Sequence, residues 1–451
     1  MFRRILIANR GEIALRLIRA LREMNIETVL VCSAEDRESI PAMMAVRTVC
    51  IGPGRAKDSY LNQDTILETA VKTGCDAIHP GYGFLSKNAE FAERCEELGI
   101  VFIGPPASVI RMMGDKKQAR KLMIKSGIPV VPGSEDSVNS VEEALACAES
   151  VGYPVLIKAS AGGGGKGMRK VFKPEEMEKA FLSAKAEALA AFGNDEVYLE
   201  KLILNPRHIE VQIMADKAGN IVHLGERDCS LQRNNQKLLE ESPAWHLDDS
   251  IRQRIRETAV KAAKAAGYEN AGTVEFVLDK GGNFYFIEMN TRIQVEHPVT
   301  EAVTDIDLIR AQVLAAAGIP LDFSQEDVVI RGHAIECRIN AQSTGKITTL
   351  HLPAGFGVRV ETHIFEGFEI SPTYDSMIAK IIVRGRNRLE AVRRLRRVLE
   401  EIIIDGIRTN VHLMYLLTYQ IEFIKGGYDT SYWSRIEGKL EEELSEVNKV
   451  E

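Results

Sequence analysis

Apolar residues recur every three or four positions through GEIALRLIRALREM (residues 11–24), between two β-rich runs, RILIA (4–8) and ETVLV (27–31). That period marks a helix with one buried face, so the chain opens strand, helix, strand. Alternation continues through DAIHPGYGF (76–84) and GIVFIGP (99–105), which predicts an α/β unit with a parallel sheet over residues 1–113. Its first turn, ANRGEIA, has one glycine and no G-x-G-x-x-G, so a dinucleotide site is not expected there. Residues 114–130 read as a helical connector between GPPASV and IPVVPGS. Over 131–203 the pattern gives a helix, strand PVLIKAS, a glycine loop, strand GMRKVF, helix PEEMEKAFLSAKAEALAAF and strand EVYLEKLI. Residues 204–451 open β-rich and end helical. There RNRLEAVRRLRRVLEEI (386–402) is an expected amphipathic helix, with Leu389, Val392, Leu395, Val398 and Ile402 on its apolar side and a solvated arginine face.

A period of two governs IEMNTRIQVEHPVTE (287–301), where Ile287, Met289, Ile293 and Val295 interleave with Glu288, Asn290, Arg292, Gln294 and Glu296. As a strand, this puts acids, amides and a base on one face. The preceding GTVEFVLDKGGNFYFIEMN (272–290) reads as a hairpin around a glycine-containing turn. With Lys280 to Asn283 as a four-residue loop, Asp279 opposes Phe284, Val277 opposes Phe286 and Glu275 opposes Glu288. Two carboxylates in cross-strand register repel by roughly 0.2–1 kcal/mol. A divalent cation removes that repulsion, and Asn290 offers a third oxygen on the same face. Magnesium suits such hard donors and fills its remaining positions with water and phosphate.

KASAGGGGKGMRKV (158–171) carries Gly162, Gly164 and Gly167 in G-x-G-x-x-G spacing, but a strand follows instead of a helix, and Lys166 precedes a glycine. It is therefore neither a dinucleotide fingerprint nor a P-loop. Glycines between two strands make a flap whose bare N–H groups approach phosphate oxygens closely. Lys158, Lys116 in MGDKK and Lys237 in NNQKLLE supply point charges for a triphosphate. Flap, acid pair, amide and lysines together describe phosphoryl transfer by positioning and charge neutralisation. Protein kinases also use a glycine flap, but H-R-D and D-F-G are absent.

Length and composition narrow the class. The 451 residues suffice for two or three domains, and a net charge of −7 argues against nucleic-acid binding. Seven scattered cysteines form no C-x-x-C, and nine histidines show no ligand spacing, so neither a disulfide framework nor a zinc site is expected and a reducing cytoplasm fits. The first residues lack a signal-peptide core, and no run is long enough to span a membrane.

ILIANRGEIALR, AIHPGYGFLSKNAEFA, MGDK, GYPVLIKASAGGGGKGMR, NPRHIEVQI, LGERDCSLQR, YFIEMNTRIQVEHPVTE, GHAIECRINA and YDSMIAK together resemble the biotin carboxylases of bacterial acetyl-CoA carboxylase over nearly the whole chain. The resemblance implies an α/β and α+β ATP-grasp fold: a Rossmann-like N-terminal domain, a mobile glycine-flap lid and a β-rich C-terminal domain. It implies that Lys116 and Lys158 contact ATP phosphates, that Gly164 and Gly165 lie in the flap, that Glu200, Lys201, Leu202 and Ile203 receive the adenine, and that His208 belongs to the nucleotide site. Glu275, Glu288 and Asn290 hold magnesium or manganese; Lys237, Arg292, Gln294 and the Val295 backbone bind bicarbonate; Glu296 is the base; Arg338 serves biotin, with Tyr82 nearby.

By the same resemblance the substrate is biotin on a separate biotin carboxyl carrier protein, the chain is a homodimer, and carboxyltransferase subunits are further partners. No A-M-K-M tetrapeptide that could accept biotin occurs in this chain. The final acceptor is expected to be acetyl-CoA, toward malonyl-CoA and fatty acids, with pyruvate, propionyl-CoA and 2-oxoglutarate as alternatives. Two departures stand out. Asn235, in RNNQK, replaces a histidine expected at the ribose, and the segment after Ala341 is shorter than the family pattern.

Overall fold

The computed structural model describes residues 1–134, 136–160 and 167–447. The N-terminal unit is a five-stranded parallel sheet, in the order Arg47–Gly52, Glu27–Ser33, Arg4–Ile7, Ala77–His79 and Val101–Phe102. The helix Gly11–Glu23 follows the first strand and buries Ile13, Leu17, Ile18 and Leu21. Its opposite end is punctuated by Asn25 at φ 56, a conformation asparagine tolerates.

A three-stranded antiparallel sheet of Met168–Val171, Val155–Ala159 and Val197–Lys201 carries the helices Val141–Val151 and Met177–Phe192. The four glycines from Gly162 to Gly165 lie outside the described residues. Gly167, at φ +69, closes the segment toward the second strand, and a Cβ there meets that of Ala159 at 2.8 Å.

The third unit is an eight-stranded antiparallel sheet, ordered Phe284–Asn290, Asn270–Leu278, Arg207–Ala215, Ile221–Arg233, Gln236–Ser242, His333–Asn340, Met377–Gly385 and Val358–Thr362. Alternation sorts its two faces. Along Arg207–Ala215, Ile209, Val211 and Ile213 pack with Ile255 and Ala259 of the helix Asp249–Ala265, while His208, Glu210 and Gln212 point the other way. Elsewhere Met214, Leu224 and Ala271 join Leu308 and Ile309 of the helix Leu308–Ala316 and the helix Gly11–Glu23 in one core. That shared core docks the N-terminal unit on the large sheet.

The helix Arg388–Glu401 differs from its expected pattern at both edges. Val392, Leu395 and Val398 are buried, but Leu389 is 49% exposed and Arg388 is buried among polar partners instead of being solvated. Among the described residues no helix is long and apolar enough to cross a membrane.

Candidate active site

The hairpin reaches the expected acid pair by a different register. Leu278 opposes Phe284, Val277 opposes Tyr285 and Phe276 opposes Phe286, one residue away from the anticipated pairing of Asp279 with Phe284 and Val277 with Phe286. Asp279 is drawn out of the ladder into the turn, where its carboxylate accepts from the N–H groups of Gly281 and Asn283, both at 2.8 Å. Ile287 is then an extra residue, a β-bulge, after which Glu275 opposes Glu288 and Thr273 opposes Asn290. A one-residue slip would send every later side chain to the other face, and the bulge reverses it.

The strand also ends sooner than its alternation predicts. The ladder stops at Asn290, Thr291 to Glu296 form an irregular segment, and the helix His297–Thr304 begins with Pro298 in its first turn. Arg227, fully buried, holds that segment in place: it donates to Glu210 Oε1 (2.6 Å), Gln212 Oε1 (2.7 Å), Thr273 Oγ1 (3.1 Å), Gln294 Oε1 (2.7 Å) and Thr300 Oγ1 (3.0 Å). Lys380 donates to the Val295 carbonyl at 2.7 Å.

Register makes the acid pair a row of three, because Glu210 opposes Glu275 as Glu275 opposes Glu288. The Lys237 ammonium lies among carboxylates, 2.6 Å from Glu210, 2.6 Å from Glu296 and 3.4 Å from Glu275. Glu275 further accepts from Asn290 Nδ2 at 2.6 Å and Gln294 Nε2 at 2.8 Å, and His208 Nε2 stands 3.1 Å away. Burial alone would raise the carboxyls of Glu275 and Glu296. The cations overcome it: Lys237 and His208 hold Glu275, and Lys237, Arg338 and Arg227 hold Glu296, below the usual carboxylate range. Burial likewise opposes charge on His208, but Glu275 raises its imidazole above the ordinary value.

The carboxylates of Glu275 and Glu288 could hold a divalent cation; Asn290 turns its Nδ2 to both, at 2.6 and 3.4 Å, and would offer its oxygen to an ion with the amide reversed. His208, Glu210 and Glu275 also converge within 4.8 Å, but the Lys237 ammonium already neutralises that side. Hard oxygen donors beside a phosphate-sized space fit magnesium.

Two cavities meet at this row. One, about 820 Å³, is lined by Lys237, Glu275, Glu288, Asn290, Arg292, Gln294, Val295, Glu296 and Arg338. Arg338 spans its floor, donating from Nε to Glu240 at 2.7 Å and from Nη2 to Glu296 at 3.0 Å. Arg292 turns back on its own loop, donating to the Ile293 carbonyl at 2.9 Å. Tyr82 does not line the cavity; its hydroxyl donates to Glu12, which pairs with Lys380 at 3.2 Å.

The second cavity, about 620 Å³, has Lys116, Lys158, Glu200, Lys201, Leu202, Ile203, His208 and Asn235 in its wall, together with apolar Val131, Leu156 and Phe286. Lys158 pairs with Glu200 at 2.5 Å, and Glu200 raises its amine despite burial. Burial lowers that of Lys116. Lys201 donates to the carbonyls of Gly152 and Tyr153, both at 2.8 Å, so its charge faces away from the base slot. Asn234 and Asn235 adopt φ 51 and 64 in the two-residue turn between Arg233 and Gln236. A turn needing positive φ twice accounts for Asn-Asn there. The segment after Ala341 closes by bonds from Gln342 N to Arg408 O (2.7 Å) and from Arg408 N to Ser343 Oγ (2.9 Å). Gly164 and Gly165 lie outside the described residues.

Glu210, Gln212, Arg227 and Glu240 were not singled out from the sequence. The alternation of His208, Glu210 and Gln212 was visible in RHIEVQI; the central role of Arg227 was not, because its five partners come from three separate stretches of chain.

Comparison with known proteins gives a consistent result. Family profiles match as "Biotin carboxylase, N-terminal domain" over residues 1–110, "Carbamoyl-phosphate synthase L chain, ATP binding domain" over 115–324 and "Biotin carboxylase C-terminal domain" over 336–435. A biotin carboxylase of Haemophilus influenzae is 51% identical over 440 residues, 96% of this chain and 98% of that one. A Campylobacter jejuni biotin carboxylase structure, described as a β-γ-ATP complex, superposes with a TM-score of 0.94 at 47% identity, covering 96% of this chain and 99% of that one. The biotin carboxylase domain dimer of Hydrogenobacter thermophilus 2-oxoglutarate carboxylase, with MgADP, ADP and bicarbonate, gives 0.93 at 47% identity, covering 98% and 99%.

Proposed function

The chain belongs to the biotin carboxylase family, and from that premise we propose that it uses ATP and bicarbonate to carboxylate biotin borne by a separate carrier protein. The observation that carries this reading is the joint hold of Lys237 and Arg338 on Glu296, at 2.6 and 3.0 Å, in the wall of the larger cavity, which adjoins the second at His208 and Glu288. An ionised acid between two cations is a base held in check. Bicarbonate entering among Lys237, Arg292, Gln294 and the Val295 backbone draws those cations to itself, and the proton affinity of Glu296 rises.

Glu296 then takes the bicarbonate proton, and the bicarbonate oxygen attacks the γ-phosphate of ATP, releasing ADP and forming carboxyphosphate. Lys116 and Lys158 neutralise the phosphates, while Glu200 to Ile203 and His208 hold the nucleoside. Glu275, Glu288 and Asn290 would hold magnesium or manganese, which supplies charge neutralisation at the phosphates. Carboxyphosphate breaks into CO2 and phosphate, and phosphate removes the biotin N1′ proton. Arg338 stabilises the resulting enolate while its nitrogen attacks CO2.

A homodimer in the cytoplasm, acting with a biotin carboxyl carrier protein and carboxyltransferase subunits in acetyl-CoA carboxylation toward malonyl-CoA, is the assembly we infer. Pyruvate, propionyl-CoA or 2-oxoglutarate as final acceptor is the second reading, favoured by likeness to a 2-oxoglutarate carboxylase domain. Which carboxyltransferase co-purifies decides between them.

The half-reactions can be separated with free biotin, following ADP and carboxybiotin independently. Glu296→Ala should abolish both products. Arg338→Gln should retain bicarbonate-dependent ADP formation and lose carboxybiotin; parallel loss of both would remove Arg338 from the biotin step.

A further inference from the structure

Glu240 and Glu336 face each other across neighbouring antiparallel strands, Gln236–Ser242 and His333–Asn340. Both are completely buried. Cross-strand partners project to the same face, so two carboxyl groups share one buried space. Glu240 Oε1 takes Arg338 through Nε at 2.7 Å and Nη2 at 2.5 Å. Among the described residues its Oε2 has no partner, and neither has either oxygen of Glu336. Buried polar atoms in native proteins are almost always paired, and unpartnered charged oxygens are the costliest exception.

One proton resolves the arrangement. A neutral carboxylic acid offers an O–H donor, and the free Oε2 of Glu240 is an acceptor. The surrounding charges favour placing that proton on Glu336. Arg338, Lys237 and Glu296 face Glu240, whereas Glu336 meets Lys380, Arg338, Glu240 and Glu296 without a hydrogen bond from any of them. Cys229 and Cys337, the nearby thiols, are pushed up by burial and stay neutral, as does Tyr82. Burial raises the carboxyl of Glu240 to about 7 and that of Glu336 well above the ordinary range.

We propose that Glu336 is a proton-bearing positioning residue: its carboxyl hydrogen goes to Glu240, leaving one negative charge that anchors Arg338 through Nε while Nη2 is shared between Glu240 and Glu296. Two charges there would compete with Glu296 for the guanidinium, and none would release it. The consequence for turnover rests on the reading of Arg338 as the biotin-step cation; the protonation state does not.

Infrared spectroscopy of the full chain tests the proton directly. Wild type at about pH 8, where ordinary carboxyls are ionised, should show a neutral-acid carbonyl band that shifts in D2O, and Glu336→Gln should lack it. A wild type without that band overturns the proposal whether or not any variant folds. Glutamine keeps Glu336 neutral and still offers N–H donors, so Glu336→Gln should form carboxybiotin within about threefold of wild type. Glu240→Gln removes a charge-assisted anchor and should lose about 10–100-fold, with bicarbonate-dependent ADP formation in the absence of biotin nearly unchanged. Glu336→Gln as damaging as Glu240→Gln would overturn the proposal. If Glu240→Gln lowers both products equally while the band behaves as expected, the proton assignment stands and the biotin reading of Arg338 fails.

Discussion

Glu240 and Glu241 are consecutive in one strand, point to opposite faces of the large sheet, and sit in buried charge clusters of different character. Glu241 accepts from Arg388 at 2.6 Å, His333 at 2.7 Å and Tyr428 at 2.5 Å, while Arg388 spends its other donors on the carbonyls of Ile424 and Phe423. Both carboxylate oxygens have partners, and Arg388 and His333 hold the group far below the usual range despite burial. On the Glu240 side, Lys237 is shared among three acids, carboxyl oxygens have no partner among the described residues, and the cluster opens on a cavity. A closed, satisfied network ties the C-terminal helices to the sheet. An open, under-satisfied one is completed by a ligand.

The contrast predicts opposite outcomes for the same chemical change. Glu296→Gln should cut turnover by roughly 10²–10⁴-fold yet leave the thermal midpoint unlowered, since Lys237 keeps Glu210 and Glu275 and Arg338 keeps Glu240. Glu241→Gln should do the reverse: it strips a buried cation of its partner, for about 3–5 kcal/mol of stability, with activity per folded molecule retained. Denaturant unfolding alongside single-turnover assays reads both, and a Glu241→Gln variant with wild-type stability would erase the distinction. Smaller is the expected effect of Glu288→Gln, a roughly 10–100-fold increase in the magnesium needed for half-maximal ADP formation with unfolding unaltered; an unchanged magnesium titration would take Glu288 out of the metal site.

The subtlest test uses pH, because the neighbours are shifted in opposite directions from the same starting value of 4.5. For Glu241 the folded group ionises below its unfolded value, so its contribution is present above pH 4.5 and is lost as pH falls through the folded value. For Glu240 the folded group titrates near 7; between 4.5 and about 7 the native chain binds more protons than the unfolded one, so stability declines as pH rises across that window. Glu241→Gln should flatten the acid limb of the stability profile, and Glu240→Gln should make the decline between 4.5 and 7 shallower, Glu336 supplying the remainder. Identical profiles for the two variants would mean that the two faces are not electrostatically distinct.

Legibility in the sequence followed the range of the interactions. The helix Gly11–Glu23, the paired Glu275 and Glu288, and the run of polar residues to Glu296 were all readable. The pair was right for an incomplete reason, since the slip at Asp279 and the bulge at Ile287 cancel. The apparent strand beyond Asn290 was a loop whose polar side chains gather by wrapping, which period two cannot distinguish from a sheet face.

By itself the sequence determined the local periods, the turn chemistry of residues such as Asn234 and Asn235, and a set of motifs specific enough to indicate a family, because each depends on residues a few positions apart. Only the tertiary structure decided that Arg227 would bind five partners, that Lys237 would balance Glu210 against Glu296, and that Glu240 and Glu336 would meet in the buried interior. Those pairs are tens to a hundred residues apart, and their charge states depend on burial and on which cation stands nearest. Both are properties of packed neighbours, and no linear pattern encodes them.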